Sequence, residues 1–167
     1  WQFVLEDYAR DFHVVALDLV GFGDTDHPEV YPENGVQWMS MRVKQVLDLM
    51  DALNIEKANL IGNSLGGVIS MYLNMEAPHR FNKIVLMGAG VLLKEPTPEL
   101  TKLANFHLDP TKENVRNLLS WFVYDLERMK DFVDQVVEDR FEMFQRPEIM
   151  RSYRENFTRS SLVEMLI

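Results

Sequence analysis

Hydrophobic positions recur every three or four residues over residues 38–53, which predicts a helix with one apolar stripe packed against a sheet. The stripe consists of Met39, Val43, Val46, Leu47, Met50 and Leu53. Arg42, Lys44 and Asp48 fall outside the stripe, so we expect their side chains to face away from the sheet. Asn54 is expected to end the helix, because asparagine tolerates the left-handed backbone that follows many helices.

Three short apolar runs have the length and residue types of buried strands, namely residues 12–17, 58–61 and 82–87. Residues 1–9 before the first run, and residues 65–75 between the last two, have helical spacing instead. Strands that alternate with helices pair in parallel, since each helix carries the chain back along the sheet. The pattern therefore predicts an α/β fold with a parallel sheet in three layers.

The second half of the chain carries only helical patterns. Helices are expected over residues 100–106, 112–122, 126–144 and 147–157. The third of these presents an apolar face made of Phe132, Val133, Val136, Val137, Phe141 and Phe144. Asp109-Pro110-Thr111-Lys112-Glu113 is typical of a helix start, and Gln145-Arg146-Pro147 of a break between two helices.

The string Gly62-Asn63-Ser64-Leu65-Gly66 is a Gly-x-Ser-x-Gly motif that lies between a predicted strand and a predicted helix. Such strings also arise by chance in glycine-containing loops, but the strand-turn-helix setting favours a nucleophile at Ser64. The sharp turn strains the backbone at the serine, and side chains at Gly62 and Gly66 are expected to collide. Gly67 is expected to permit close packing of the helix.

Leu65 directly follows the candidate nucleophile and begins the predicted helix. The first N–H groups of a helix have no acceptor within the helix, so the Leu65 N–H is a candidate donor to an oxyanion. Residues 18–31 are expected to form a loop at the carboxyl end of a strand, the edge where ligands bind parallel sheets. Asp18 and Asp24 in this loop lack a convergent histidine or calcium-loop spacing, so we predict no metal site.

The composition narrows the class of partner. The chain has 167 residues, 47% hydrophobic content and a net charge of −9, which suits a sizeable core and disfavours nucleic acid or an anionic membrane surface. Cysteine is absent, which excludes disulfides and thiolate sites and is compatible with the cytoplasmic location that we expect. No apolar run approaches the ~20 residues of a membrane-spanning helix. We expect a small-molecule substrate and leave a homo-oligomer open.

The strings GNSLGG, KIVLMGAG and the upstream DLVGFGDTD resemble the α/β-hydrolase superfamily, and within it the meta-cleavage product hydrolases. These enzymes break carbon-carbon bonds in ring-fission products of aromatic compounds. The resemblance implies an incomplete three-layer parallel sheet over residues 1–92 and an α-helical lid, also incomplete, over residues 93–167. It further implies that the chain is a central part of such an enzyme, with an oxyanion loop before it and the catalytic Asp and His after Ile167. Alone, the chain is expected to be inactive and poorly stable.

Two further residues take candidate roles from this resemblance. Asn63 is similar to an asparagine that lines the pocket or orients loops beside the nucleophile, although a turn asparagine would look the same. Arg140 resembles a lid arginine that pairs with the substrate carboxylate, which a planar guanidinium can bind through two hydrogen bonds. The alternative for Arg140 is a surface ion pair with neighbouring acids, which are Glu138, Asp139 and Glu142.

The resemblance also implies a reaction without a cofactor, in which the substrate ketonises and Ser64, or a water it assists, attacks the side-chain carbonyl. The four histidines, His13, His27, His79 and His107, are each expected to be structural or solvated rather than the catalytic base. A carboxylesterase or lactone hydrolase on the same fold is an alternative. A ligand-binding relative that lacks the base is another, and both stay open at this point.

Overall fold

Helices predominate in the computed structural model, which describes residues 1, 3–90 and 97–158. In chain order the elements are α1 (Leu5–Tyr8), α2 (Gly35–Ala52), β1 (Ala58–Asn63), α3 (Leu65–Glu76), β2 (Phe81–Met87), α4 (Pro98–Ala104), α5 (Lys112–Ser120), α6 (Lys130–Phe144) and α7 (Pro147–Thr158). A short 3₁₀ turn at Pro78–Arg80 precedes β2, and another at Asn105–Leu108 follows α4.

The two strands β1 and β2 pair in parallel, with Ile61 opposite Val85 and Asn63 opposite Met87. Helix α3 connects them and packs against both strands, and α2 packs against α3. This strand-helix-strand unit confirms the predicted α/β class and the parallel pairing. It also places the carboxyl ends of both strands at one edge, where Ser64 follows β1.

The predicted stripe of α2 forms one side of a hydrophobic core with α3 and β2. Its buried residues are Met39, Val43, Val46, Met50, Val68, Ile69, Leu73, Ala77 and Phe81. Leu53 was wrongly assigned to the stripe, because it caps the helix and is exposed. Asn54 follows with φ of 54°, which confirms that the helix ends where the asparagine adopts left-handed backbone.

Arg42 lies outside the apolar stripe, as predicted, but its side chain does not reach solvent, since it is 0% exposed. The opposite side of α2 at this point is covered by the loop of residues 18–31 and by α7, which contribute Phe22 and Asn156. Helical periodicity reports only which residues share a face. It cannot report that a second layer of chain covers the other face.

Residues 12–17 were predicted as a strand, and this prediction is wrong for the described structure, in which the segment forms neither strand nor helix. Phe12 remains 58% exposed. β-Branched residues favour extended backbone, but a strand forms only when a neighbour supplies the hydrogen-bond ladder. No described strand lies alongside this segment, since the described sheet consists of β1 and β2.

Residues 97–158, here called the helical segment, contain the predicted helices with small shifts at their ends. Thr97 and Thr111 cap α4 and α5 through their side-chain oxygens, and the predicted break falls between α6 and α7. Helix α6 begins at Lys130 rather than at residue 126, because turns occupy residues 126–129. The predicted boundary between residues 92 and 93 lies outside the described residues.

A second hydrophobic cluster fills the helical segment. Its fully buried members are Phe106, Val115, Val133 and Val137, and the partly buried residues around it include Phe132, Phe141, Phe144 and Tyr153. The apolar face predicted for α6 therefore packs inside the segment. Among the described helices, none combines the length with the apolar composition of a membrane span.

Candidate active site

Ser64 is the single residue between the last residue of β1 and the first residue of α3. Its backbone has φ of 52° and ψ of −116°, a strained conformation for a residue with a side chain. Ser64 is also exposed. The structure thus confirms the strand-turn-helix setting of the motif, with the hydroxyl-bearing residue at a strained backbone position.

Backbone hydrogen bonds fix Ser64 on both sides. Its N–H donates to the carbonyl of Met87 at the end of β2, at 2.9 Å, while its own carbonyl accepts from Gly67 and Val68 at 3.0 and 3.3 Å. The turn is therefore tied to the neighbouring strand as well as to its own helix. Such bonds supply the restraint that a strained residue needs to keep its conformation.

The glycines of the motif differ in what they permit. A Cβ placed on Gly62 would lie 2.4 Å from the carbonyl oxygen of Gly66, and one on Gly67 would lie 2.5 Å from the Cβ of Ala89. Both positions are closed to larger residues, which confirms the prediction for Gly62 and Gly67. The prediction for Gly66 is wrong, because a Cβ there would meet nothing within 4 Å.

Leu65 begins α3, so its N–H has no acceptor within the helix. No other acceptor is assigned to this N–H among the described residues. The positive end of the helix dipole adds to the attraction for negative charge at this point. The Leu65 N–H therefore has the chemistry of an oxyanion donor, and its use as one stays a prediction.

Asn63 is the last residue of β1 and pairs across the ladder with Met87. It is exposed, and in the described part of the chain its side chain has no assigned hydrogen bond. The alternative of an asparagine satisfied within a turn does not fit this position, because the residue belongs to a strand. Its amide is free to contact a molecule bound beside Ser64.

Arg140 lies on α6 and is exposed. Its acidic neighbours contact other groups, since Glu138 pairs with Lys112 and Asp139 accepts from Gln135. Within the described ranges no ion pair or hydrogen bond of the Arg140 side chain is assigned. The surface-pair alternative therefore finds no support in the contacts of these acids, and the guanidinium is available to a ligand.

Two of the four histidines have assigned hydrogen bonds among the described residues, and neither of them contacts Ser64. Both ring nitrogens of His27 are engaged, Nδ1 with the Ser152 hydroxyl at 2.8 Å and Nε2 with the Gly23 carbonyl at 3.2 Å. His107 bonds the carbonyl of Ala104, while His13 and His79 are exposed. None of the described hydrogen bonds joins a histidine to Ser64. None of the four histidines is therefore identified as its catalytic base.

The acidic loop of residues 18–31 is organised by hydrogen bonds and an ion pair. The carboxylate of Asp18 accepts from the Asp24 N–H at 3.2 Å, and Asp24 pairs with Arg146 at 2.6 Å. The hydrogen bonds that Arg146 donates to Asp24 and Glu148 raise the pKa of its guanidinium, and the same guanidinium lowers the pKa of Glu148. No cluster of three or more metal-ligating side chains occurs among the described residues.

The pairing of Arg146 with the loop is a contact that the sequence patterns did not reveal, because 122 positions separate its residues. The sequence patterns also did not reveal that the Met87 carbonyl accepts from the Ser64 N–H. The signal available for Met87 was its place at the end of the strand paired with β1. No local pattern points from Arg146 to Asp24.

The sequence of this chain matches a protein family and several curated proteins. A family model described as the alpha/beta hydrolase fold matches residues 1–144. The 2-hydroxy-6-oxo-2,4-heptadienoate hydrolase of Pseudomonas putida is 30% identical over 157 residues, which are 94% of this chain and 54% of that protein. The chain therefore spans about half the length of the curated relatives it matches.

Solved structures of hydrolases also match this chain. A 2-hydroxy-6-oxo-6-phenylhexa-2,4-dienoate hydrolase from Rhodococcus sp. matches with a TM-score of 0.90 and 38% identity, covering 100% of this chain and 60% of that one. A meta-cleavage product hydrolase from Pseudomonas fluorescens matches with a TM-score of 0.84 and 29% identity, covering 100% and 59%. With the elbow at Ser64 and a family model that matches most of its length, the chain belongs to the α/β-hydrolase fold family.

Proposed function

We propose that this chain carries the nucleophile of a serine hydrolase that cleaves a carbon-carbon bond in a ring-fission dienoate. The observation that supports it most is Ser64, exposed and held at φ of 52° between a strand and a helix. A strained, restrained serine at the carboxyl edge of a parallel sheet serves nucleophilic catalysis better than it serves packing. The dienoate class comes from the relatives, which are named as hydrolases of 2-hydroxy-6-oxo-dienoates.

The proposed chemistry begins with ketonisation of the dienoate, which makes the bond next to its side-chain carbonyl cleavable. The Ser64 oxygen, or a water that it assists, then adds to this carbonyl. The carbonyl oxygen becomes negative, and the Leu65 N–H at the start of α3 donates to it. Collapse of the adduct breaks the carbon-carbon bond, and its electron pair passes into the conjugated keto group of the departing fragment, whose oxygen takes up the proton lost by the nucleophile to give a dienol. The acyl group is released as a carboxylic acid, directly if water attacked, or by a second water if it is bound to Ser64.

The helical segment is proposed as a lid that covers the substrate, with Arg140 as the partner of its carboxylate. The protein has a net charge of −9, so an anionic substrate needs a local cation to overcome the mean repulsion. The Arg140 guanidinium is exposed and has no assigned partner among the described residues. Asn63, beside the nucleophile, is proposed to contact the substrate through its free amide.

The complete gene product provides the test of the nucleophile. Ser64→Ala should lower turnover of a 2-hydroxy-6-oxo-2,4-dienoate by at least about a thousandfold, because the acceptor of the acyl group is removed. Ser40→Ala, which deletes an exposed hydroxyl on α2, is the matched control and should leave turnover unchanged. Full activity in the Ser64→Ala protein would show that the serine is not the nucleophile.

A comparison of substrates tests the reaction class. Arg140→Met should raise KM for the dienoate by about tenfold or more, because a charge-assisted hydrogen bond to the carboxylate is lost. It should leave the uncharged ester p-nitrophenyl acetate unaffected, and Arg128→Met, at an exposed arginine before α6, should leave both unchanged. Rapid ester turnover with no cleavage of dienoates would instead assign the chain to a carboxylesterase on this fold.

A further inference from the structure

Arg42 places a cation inside the protein without a carboxylate partner among the described residues. Its side chain is 0% exposed, and its Nε and Nη1 atoms have no hydrogen-bond partner there. Burial lowers the pKa of its guanidinium to about 10, which leaves the charge in place at neutral pH. A buried, partly unpaired cation is costly, so packing alone would be better served by an apolar residue.

The contacts of Arg42 join two separate parts of the molecule. Its Nη2 donates to the Oδ1 atom of Asn156 on α7 at 2.9 Å. The guanidinium also lies 4.6 Å from the ring centroid of Trp38 and 5.0 Å from that of Phe22. Both rings contact the planar group, one from α2 and one from the loop of residues 18–31, and the amide oxygen of Asn156 on α7 accepts from its edge.

A second set of hydrogen bonds lies one helical turn away on α7. The Ser152 hydroxyl contacts Nδ1 of His27 at 2.8 Å and the hydroxyl of Tyr31 at 3.2 Å, both from the loop of residues 18–31. Since the Gly23 carbonyl can only accept, Nε2 of His27 carries a proton. We call the contacts of Ser152 and Asn156 with the core the α7 seam.

Helix α7 has a different kind of contact on its other side. Met150 and Tyr153 pack against the hydrophobic cluster of the helical segment, and the Tyr153 ring lies 5.5 Å from that of Phe144. Val133 and Val137 of α6 belong to the same cluster. Helix α7 therefore connects the core, through the seam, to the helix that carries Arg140.

We propose that Arg42 is a positioning residue, which docks α7 on the core through Asn156 and thereby sets the position of α6, the helix that carries Arg140. This inference rests on the proposed function, in which the helical segment is a lid and Arg140 binds the carboxylate. An apolar contact would allow α7 to slide. A guanidinium that contacts two rings and donates to one acceptor restrains both the position and the rotation of the helix.

Residue 156 is the position to substitute, because removal of its acceptor leaves the charge of Arg42 in place. In the complete gene product, Asn156→Leu removes the acceptor, and Asn156→Asp supplies a carboxylate of the same shape. Asn156→Leu should raise KM for a 2-hydroxy-6-oxo-2,4-dienoate about tenfold, with kcat changed less than about twofold, since docking is set by a hydrogen bond to a charged group. Asn156→Asp should keep KM near the wild-type value.

The ester p-nitrophenyl acetate separates positioning from loss of folded protein. It requires Ser64 but has no carboxylate for Arg140, so Asn156→Leu should leave its turnover unchanged. Unchanged dienoate KM in Asn156→Leu, or a parallel loss with both substrates, would overturn the proposal. A failure of Asn156→Leu to fold while Asn156→Asp folds with wild-type KM would also overturn it, because the acceptor would then serve stability.

Variants of the cation complete the design. Arg42→Met should reproduce the KM increase, and Arg42→Lys should show a smaller increase because it keeps one donor. Lys44→Met is the matched control on the same helix, since Lys44 is exposed and pairs with Asp48. If Arg42→Met does not fold, the two variants at residue 156 decide the question.

Hydrogen exchange distinguishes failure of this inference from failure of the proposed function. Asn156→Leu should speed exchange of the α7 amide groups by about tenfold whatever the substrate is, because the docked state loses one charge-assisted hydrogen bond. Activity retained in Ser64→Ala would refute the proposed reaction and leave this exchange result intact. Unaltered exchange in α7 would refute the docking role alone.

Discussion

Two glycines of the nucleophile turn should respond in opposite ways to the same small substitution. Gly62 and Gly66 each lie two residues from Ser64 in the sequence, one before it and one after it. An alanine substitution adds one methyl group at each position. At Gly62 that methyl carbon would lie 2.4 Å from the Gly66 carbonyl oxygen and 2.6 Å from the Ser70 hydroxyl oxygen. At Gly66 it would meet nothing within 4 Å.

The size of each effect follows from these distances. Since 2.4 Å is about 1 Å inside ordinary contact and the atom met is backbone, Gly62→Ala must shift β1 against α3, at a cost of about 1–3 kcal/mol or more. Gly66 lies in the first turn of α3 without positive φ. Gly66→Ala removes backbone freedom from the unfolded chain and should stabilise the protein by about 0.5–1 kcal/mol.

Urea denaturation of the complete gene product measures both variants against the wild type. The free energy of unfolding should fall for Gly62→Ala and rise for Gly66→Ala. Dienoate turnover should fall with Gly62→Ala because the serine is displaced. Equal stabilities for the two variants would show that the turn is looser than these distances require.

Two further predictions concern strain and charge. Ser64→Gly should unfold at a higher temperature than Ser64→Ala, by an amount equivalent to about 1 kcal/mol, because only glycine adopts the positive φ of residue 64 without strain; equal melting temperatures would contradict this. Arg146 lowers the pKa of Glu148, so their pairing contributes stability above the ordinary glutamate range near pH ~4.3, and this stability is lost as the pH falls through the lowered pKa. Arg146→Met should raise the Glu148 pKa toward that range in a carboxyl-carbon NMR titration, although the backbone hydrogen bond at Glu148 still lowers it; an unchanged pKa would refute the pairing.

The elbow was predictable because its signals are local. The residue types on either side of Ser64 specify a strand and a helix, and the close contact at Gly62 follows from the sharpness of the turn between them. The motif did not indicate which glycine is sterically required. Gly66 looks equivalent to Gly62 in the sequence, and only the path of α3 leaves open space beside it.

The burial of Arg42 and the irregular conformation of residues 12–17 were not predictable, because each depends on distant chain. Arg42 is covered by a loop about 20 residues before it and by α7, which lies 114 positions away at Asn156. Residues 12–17 have strand-like composition, but their backbone conformation depends on neighbours that composition does not specify. Local pattern thus predicted the elements of the core and failed where tertiary contacts decide.

Labelling with a fluorophosphonate measures the reactivity of Ser64 itself, because the probe forms a bond only with an activated serine oxygen. The complete gene product is incubated with the probe, digested and examined by mass spectrometry. We expect one adduct, on the peptide that contains Ser64, and no adduct in the Ser64→Ala protein. An adduct on another serine, or unmodified Ser64 in enzyme that turns over the dienoate, would contradict this expectation.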